Sequence, residues 1–439
     1  MLPKNNLISL QEARGQMFSF IKAYKPSKTI RRLEIKVRPV DMMAWLTLQK
    51  DEVKIYGANQ SDSMSIAGIG EAVCIRAGRL GSFKKVFQSL RSFLLPQYPY
   101  LQWYGGFCFD DRHQDGDWKE FGAYRFILPR FELAAQAGKM IFCCNLIGKI
   151  DTREVLKQLA AIRADGFGAS GGGRNVFSIS RRTDQPDQRR WENGVSRILR
   201  ARPVKKVVLA RKTVLDFQQV PDPWAMLRQL KAVTPNSYHF AFQFKNKVFL
   251  GASPERLYQR FQRSIESEAL AGTMPKSAAP SLLQKSEKNK YEHALVVDAI
   301  DGSFKQLCTA FRKDRRPGIL TLPNGHHLIT KFQGQLKDGV NDEDILQFLH
   351  PTPALGGTPR PAALKLIRIL EGFSRGWYGA PIGYVGLDWA EFVVGIRSGH
   401  LQGKKLSVFA GAGIVQGSEA RAEWNEVENK ISNFIKIIR

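Results

Sequence analysis

What most constrains this chain is the period of its apolar residues. Alternation by twos, the mark of a half-buried strand, runs through Arg32-Leu33-Glu34-Ile35-Lys36-Val37 and Val53-Lys54-Ile55-Tyr56. Trp103–Phe109 and Ala123–Arg130 are apolar, aromatic segments closed by turn residues. Further strands are expected at Lys206–Arg211, Val248–Ser253, Tyr384–Leu387, Phe392–Arg397 and Leu406–Ala410, the last three as consecutive strands of a meander. Helical spacing appears within residues 1–30 and at Leu80–Leu95, Trp191–Arg202, Ser286–Leu307 and Glu419–Ile438. Strands and helices come in runs rather than one for one, so an α+β fold is expected over a doubly wound α/β sheet.

The chain has 439 residues, 43% of them apolar and 24% charged, enough for a large core. No apolar run reaches the ~18 residues of a membrane span. The first residues lack the apolar stretch of a signal peptide. The five cysteines are irregularly spaced and include no C-x-x-C, which argues against disulfides or structural zinc. A cytoplasmic protein with reduced thiols is therefore expected. The formal net charge is +26. Its basic residues fall in pairs, such as Arg181-Arg182 and Lys404-Lys405, rather than in blocks. That pattern suits a small anionic substrate better than specific nucleic-acid binding. The glycine-rich stretch 165–173 lacks a GK[ST] ending and reads as a linker, not a phosphate cradle.

Carboxylates gather on two helices. Glu419, Glu423, Glu426 and Lys430 form one stripe beside the apolar stripe Val427, Ile431, Phe434 and Ile438. Glu292 borders Val296 on the other helix. Acids at a core boundary need a partner. One acid from each helix suits a hard cation such as Mg²⁺. Glu426 and Lys430 equally suit an i,i+4 ion pair. His293 reads as a structural histidine. Lys206 opens an apolar strand, where a neutral lysine is a competent base, and Arg211 is a candidate cationic neighbour. Glu255 sits in the turn Ser253-Pro254-Glu255-Arg256 and has Arg256 as a possible ion partner. The turns around Gly272 and at Gly411 and Gly413 can offer backbone N–H groups to an anion.

Lys206–Arg211, Ser253–Arg256, Glu268-Ala269-Leu270-Ala271-Gly272-Thr273, Glu292-His293, Pro351–Gly357, Trp377-Tyr378, Ala410–Val415 and Glu423-x-x-Glu426-x-x-x-Lys430 follow in this order. Order and content together resemble the chorismate-binding enzymes, and among them the isochorismate synthases of menaquinone biosynthesis. The resemblance implies one large two-lobed α+β unit with two stacked antiparallel sheets inside and helices outside. Its strand-rich half would span 1–185 and its chorismate-binding half 186–439, the two intertwined. It also implies a Mg²⁺-dependent conversion of chorismate to isochorismate. In that reading Lys206 activates water and Glu255 protonates the leaving hydroxyl. Glu292 and Glu426 ligate the ion, with Glu423 acting through water. Gly272, Thr273, Tyr378, Arg397, Gly411, Gly413 and Lys430 hold the substrate. Aminating relatives carry glutamine in place of Lys206, so lysine marks the water-using branch, which also contains salicylate synthases. Two departures stand out. Asn289 replaces a common glutamate. The segment Lys331-Phe332-Gln333-Gly334 is read in place of V-Q-H, which puts Gly334 where a histidine lies near the substrate. With the high charge, that second departure keeps open a basic anion- or nucleic-acid-binding protein on a degenerate enzyme fold.

Overall fold

A computed structural model of the protein describes residues 7–110, 116–148, 151–166, 177–323 and 325–438. Most of the glycine-rich stretch 165–173 lies outside them. The strands of the first half are β1 (Ser27–Val37), β2 (Val53–Ala58), β3 (Met64–Ala77), β4 (Trp103–Phe107), β5 (Tyr124–Gln136), β6 (Lys139–Gly148) and β7 (Ile179–Gln185). Those that follow are β8 (Lys206–Phe217), β9 (Tyr238–Phe244), β10 (Lys247–Ser253), β11 (Arg256–Phe261), β12 (Ser264–Met274), β13 (Cys308–Lys313), β14 (Gly318–Leu322) and β15 (Gly325–Leu336). The last are β16 (Gly357–Thr358), β17 (Pro381–Val385), β18 (Trp389–Val394), β19 (Ser398–Gln402) and β20 (Lys405–Val415).

Every pairing between these strands is antiparallel, as an α+β fold requires. One run reads β1-β6-β5-β3-β2-β9-β10-β19-β20-β8-β7. A second leaves β5 as β4-β17-β18-β11-β12-β15, with β13 and β14 on the outer edge of β15. The shared strand β5 makes them one curled network. Strands from residues 1–185 pair with later ones at β2–β9, β4–β17 and β7–β8.

The expected meander near the end is a pair of hairpins instead. β17–β18 belongs to the second run and β19–β20 to the first. The chain changes run at Gly395–Arg397, where Arg397 has φ +49°. A left-handed arginine costs roughly 1–3 kcal/mol and is kept only where its surroundings fix it.

Helices cover the outside. The first expected helix narrows to Leu10–Lys22, where Ser9 and Glu12 form a reciprocal capping box. Helix Glu287–Leu307 starts at Ser286, whose hydroxyl accepts from the N–H of Asn289. Helix Ala420–Ile438 buries Val427, Ile431 and Phe434, the apolar stripe read from its spacing. Behind the crossover, Phe121, Phe242 and Trp377 pack edge to face with ring centroids 5.2–5.4 Å apart. Trp377→Ala there would cost about 3–5 kcal/mol.

Candidate active site

β8 and β20 run side by side, pairing Lys206 with Val415 and Val208 with Gly413. Lys206 is carried into the interior, 1% exposed. Its Nζ lies 3.0 Å from Glu292 Oε1 on helix Glu287–Leu307. The contact is ionic only: Nζ finds no acceptor of hydrogen-bond geometry among the described residues. Glu292 fits because Gly413 has no side chain. A β-carbon there would stand 2.1 Å from Glu292 Oε1 and 2.9 Å from Lys206 Cε.

Glu255 faces the same cleft from the turn between β10 and β11. Burial pushes its carboxyl up to about 8, and nearby Glu268 adds to this against the pull of Lys206 and Lys430. Arg256 does not pair with it. That guanidinium binds Gln259 and Glu266 at 2.7 and 2.8 Å.

The rest of the lining is cationic and rich in donors. Arg397 is buried, and its Nη1 has no hydrogen-bond partner among the described residues. Burial lowers its guanidinium to about 10. Tyr378 stacks on Phe409 with centroids 5.2 Å apart, which fixes the phenol in the cleft. Gly272 has φ +77°, and a β-carbon on it would meet the Asn289 carbonyl oxygen at 3.0 Å. Lys430 Nζ donates to the Gly411 carbonyl at 2.8 Å and pairs with Glu426 at 2.6 Å.

The three glutamates with metal-ligand spacing are each held by a lysine: Glu292 by Lys206, Glu423 by Lys288 and Glu426 by Lys430. Burial and the charge of Glu426 raise Glu423 against Lys288. Burial would raise Glu426 too, but Lys430, Lys288 and Arg397 outweigh it and hold that carboxyl below its ordinary range. Lys288 thus stands in the field of all three carboxylates.

The chorismate binding enzyme family matches residues 16–439. The chain belongs to the chorismate-binding enzymes. It is 31% identical to the chloroplastic isochorismate synthase of Catharanthus roseus over 87% of this chain and 70% of that one. It is 30% identical to isochorismate synthase MenF of Bacillus subtilis over 88% of each. Among solved structures it is similar to MenF, the menaquinone-specific isochorismate synthase from Escherichia coli. There the TM-score is 0.85 at 26% identity, covering 98% of this chain and all of that one.

In this chorismate-binding enzyme, Glu255, Gly272, Thr273, Glu292, Tyr378, Arg397, Gly411, Gly413 and Lys430 line one cleft between the two strand runs. Lys206 and Glu426 lie just behind that lining, against Glu292 and Lys430. Glu423 is one layer further, on Lys288, and Glu419 is exposed. His293 is structural as expected, bonding Thr330 at 2.8 Å. Two expectations change. Gly334 is not at the cleft but packs against Cys308, Phe311 and Phe304. His327, earlier on β15, lines it and bonds Thr273 Oγ1 at 3.0 Å. Arg211 is no neighbour of Lys206, because an odd number of residues along a strand separates faces. It stacks over Trp424 and pairs with Glu428. Asn289 ties the helix start to the Gly272 turn, donating to Ser286 Oγ at 3.0 Å and accepting from the Thr273 N–H at 3.3 Å.

Sequence reading missed the brace under β8. Buried Glu371 accepts from the Ala210 N–H, and Arg375 donates to the carbonyls of Val208 and Leu355, all at 2.8 Å. The i,i+4 spacing of Glu371 and Arg375 was its one local signal. A larger cavity of about 450 Å³ lies elsewhere between the runs, lined largely by apolar residues such as Ile55, Phe240 and Ile382. Size does not decide the site. The smaller cleft is the one that holds the buried Glu255 carboxyl and the unpartnered Arg397 Nη1, with Lys206 just behind its lining.

Proposed function

We propose that this enzyme is an isochorismate synthase of menaquinone biosynthesis. It adds water at C2 of chorismate and releases the C4 hydroxyl as water, so that substrate and product are isomers. The observation that carries this reading is a buried lysine beside a cleft that holds a carboxyl raised to about 8. Lys206 draws the proton from the attacking water. Glu255, protonated at neutral pH, gives its proton to the leaving hydroxyl. Lysine rather than a neutral amide at 206 is what selects water. Arg397, Tyr378 and Lys430, with Thr273 and the N–H groups around Gly272, Gly411 and Gly413, hold the two carboxylates of the substrate in place. The chain's excess positive charge draws that dianion in, and the same reading places the enzyme in the cytoplasm.

Mg²⁺ fits the donors present. Glu292, Glu423 and Glu426 offer hard oxygens only, and Gly413 leaves room for the Glu292 carboxylate. Among the described residues no three such groups already stand close enough to hold an ion. Mg²⁺ asks only one or two carboxylates, with water and substrate oxygens for the rest. Glu292 and Glu426 would hold it directly and Glu423 through water, once their lysines swing away. When bound, the ion neutralises a substrate carboxylate and helps orient the ring.

The test is purified enzyme with chorismate and Mg²⁺, without ammonia, and chromatographic identification of products against a metal-free control. Isochorismate formed only with metal supports the reading. Salicylate with pyruvate would move the enzyme to the salicylate synthases. No turnover by folded protein would sink the enzymatic reading in favour of a basic anion-binding one. A histidine, His327, lines the cleft, which supports the enzymatic reading over the degenerate one.

A further inference from the structure

Glu268 has no place in the reaction as set out above, yet it is a buried carboxylate one residue-length from the acid. It lies on β12 at 8% exposure. Its Oε1 accepts the backbone N–H of Arg256 at 2.8 Å, the peptide that immediately follows Glu255. Arg256 is clamped from its other end by Glu266 and Gln259, and Glu391 lies 3.9 Å away. The turn is closed on its near side by Ser253, whose hydroxyl accepts from the Glu255 N–H at 3.3 Å. The peptide bearing Glu255 is therefore fixed on both sides, and one of the two fixing groups is a carboxyl.

We propose that Glu268 is a positioning residue that does two separable things for Glu255. Its hydrogen bond holds the turn so that the acid faces the cleft, and its charge favours the protonated form of Glu255. This rests on Glu255 being the proton donor. The charged groups facing Glu255 are Glu268 from β12, Lys206 from β8 and Lys430 from helix Ala420–Ile438. Both lysines oppose protonation, so Glu268 is the anion set against them. Around Glu268 itself stand Arg256 from the turn, Lys331 from β15 and Glu391 from β18. Burial, helped by the charge of Glu391, leaves Glu268 raised above its ordinary value, against the opposing pull of the Arg256 N–H, its guanidinium and Lys331. Without such an anion, a carboxyl between two lysines would ionise more readily and lose the proton it must donate.

Glu268→Gln separates the two roles, since an amide oxygen still accepts from the Arg256 N–H but carries no charge. The measurement is kcat and KM for chorismate against pH at saturating Mg²⁺. The alkaline limb of kcat/KM is expected to move down by about one pH unit. KM should stay within about twofold at low pH, where Glu255 is protonated in both proteins. Glu268→Asp keeps the charge and should keep the limb near its wild-type position, even if kcat falls; it serves as the readout if the glutamine variant does not fold. An unmoved limb in Glu268→Gln, or a limb that moves down equally in Glu268→Asp, would overturn the inference. Glu255→Gln tells the two claims apart. If it remains active with the same alkaline limb, the limb is not that of Glu255 and the assignment of the acid fails. If it is inactive while Glu268→Gln leaves the limb in place, only the role of Glu268 fails.

Discussion

Glu292 Oε1 occupies the space that a β-carbon on Gly413 would need, at a separation of 2.1 Å. The clash falls on the end of a flexible side chain rather than on backbone. Gly413→Ala should therefore fold, with a loss of at most about 1–2 kcal/mol in chemical denaturation. The displaced carboxylate and Lys206 should nonetheless cost activity on the order of 100-fold. A variant that folds and turns over normally would remove Glu292 from the site.

Lys206→Ala should abolish isochorismate formation, with turnover down by 10³-fold or more, about the upper range for general-base catalysis. It also leaves Glu292 without its buried partner, so stability should fall by up to ~3–5 kcal/mol. Adding Glu292→Gln should restore much of the melting temperature and none of the activity. Retained turnover in the single variant would exclude lysine from the mechanism.

The acid has a defined pH signature. The Glu255 carboxyl is raised to about 8 from an ordinary 4.5, chiefly by burial. It must be protonated to donate, so kcat/KM should decline as pH rises through about 8. The sign for stability is the same. The folded protein binds this proton more tightly than the unfolded chain, so stability is lost as pH climbs from 4.5 towards 8. Glu255→Gln should be inactive yet melt several degrees higher than wild type at pH 8. Equal melting curves across this range would contradict the burial of a protonated carboxyl.

Arg397 holds an unpartnered Nη1 in the cleft. Arg397→Ala should raise KM for chorismate about 10–100-fold, the worth of a charge-assisted hydrogen bond, with a smaller effect on kcat. A change confined to kcat would take the guanidinium off the substrate.

Chelation should stop turnover, and added Mg²⁺ should raise the melting temperature in step with its concentration. Lys288 stands among the three glutamates as a competing cation. Lys288→Met is expected to tighten Mg²⁺ binding roughly tenfold by calorimetry and to lower the melting temperature of the metal-free protein. Weaker binding in that variant would show that Lys288 supports the ion instead.

Much of this site was legible in the order of short motifs. The turn at Glu255, the glycines at 272, 411 and 413, and the stripe through Glu426 and Lys430 each carry a local signature. Local patterns also place most of the strands and the helix boundaries, because apolar period and capping act within a few residues. What they lack is register. Strand β15 carries two adjacent histidines and, further on, a glycine. Period two says only that neighbours face opposite ways. The pairing of Thr273 with His327 and of Ile265 with Gly334 decides that the histidine lines the cleft and the glycine lies under Phe304.

The same distinction runs through the whole molecule. The sequence alone determined an α+β fold and the cast of acids, cations and glycines, since these depend on residue type and short spacing; the antiparallel sheets and the water-using branch were implied by the family resemblance. Only the tertiary structure decided that β17–β18 and β19–β20 belong to different runs, with Arg397 at the crossing. It alone set the Glu371–Arg375 brace under β8, Lys288 among the glutamates, and Glu268 behind the acid. Each brings together groups at least 12 residues apart in the chain. Such contacts follow from how sheets register and stack, and local pattern leaves that open.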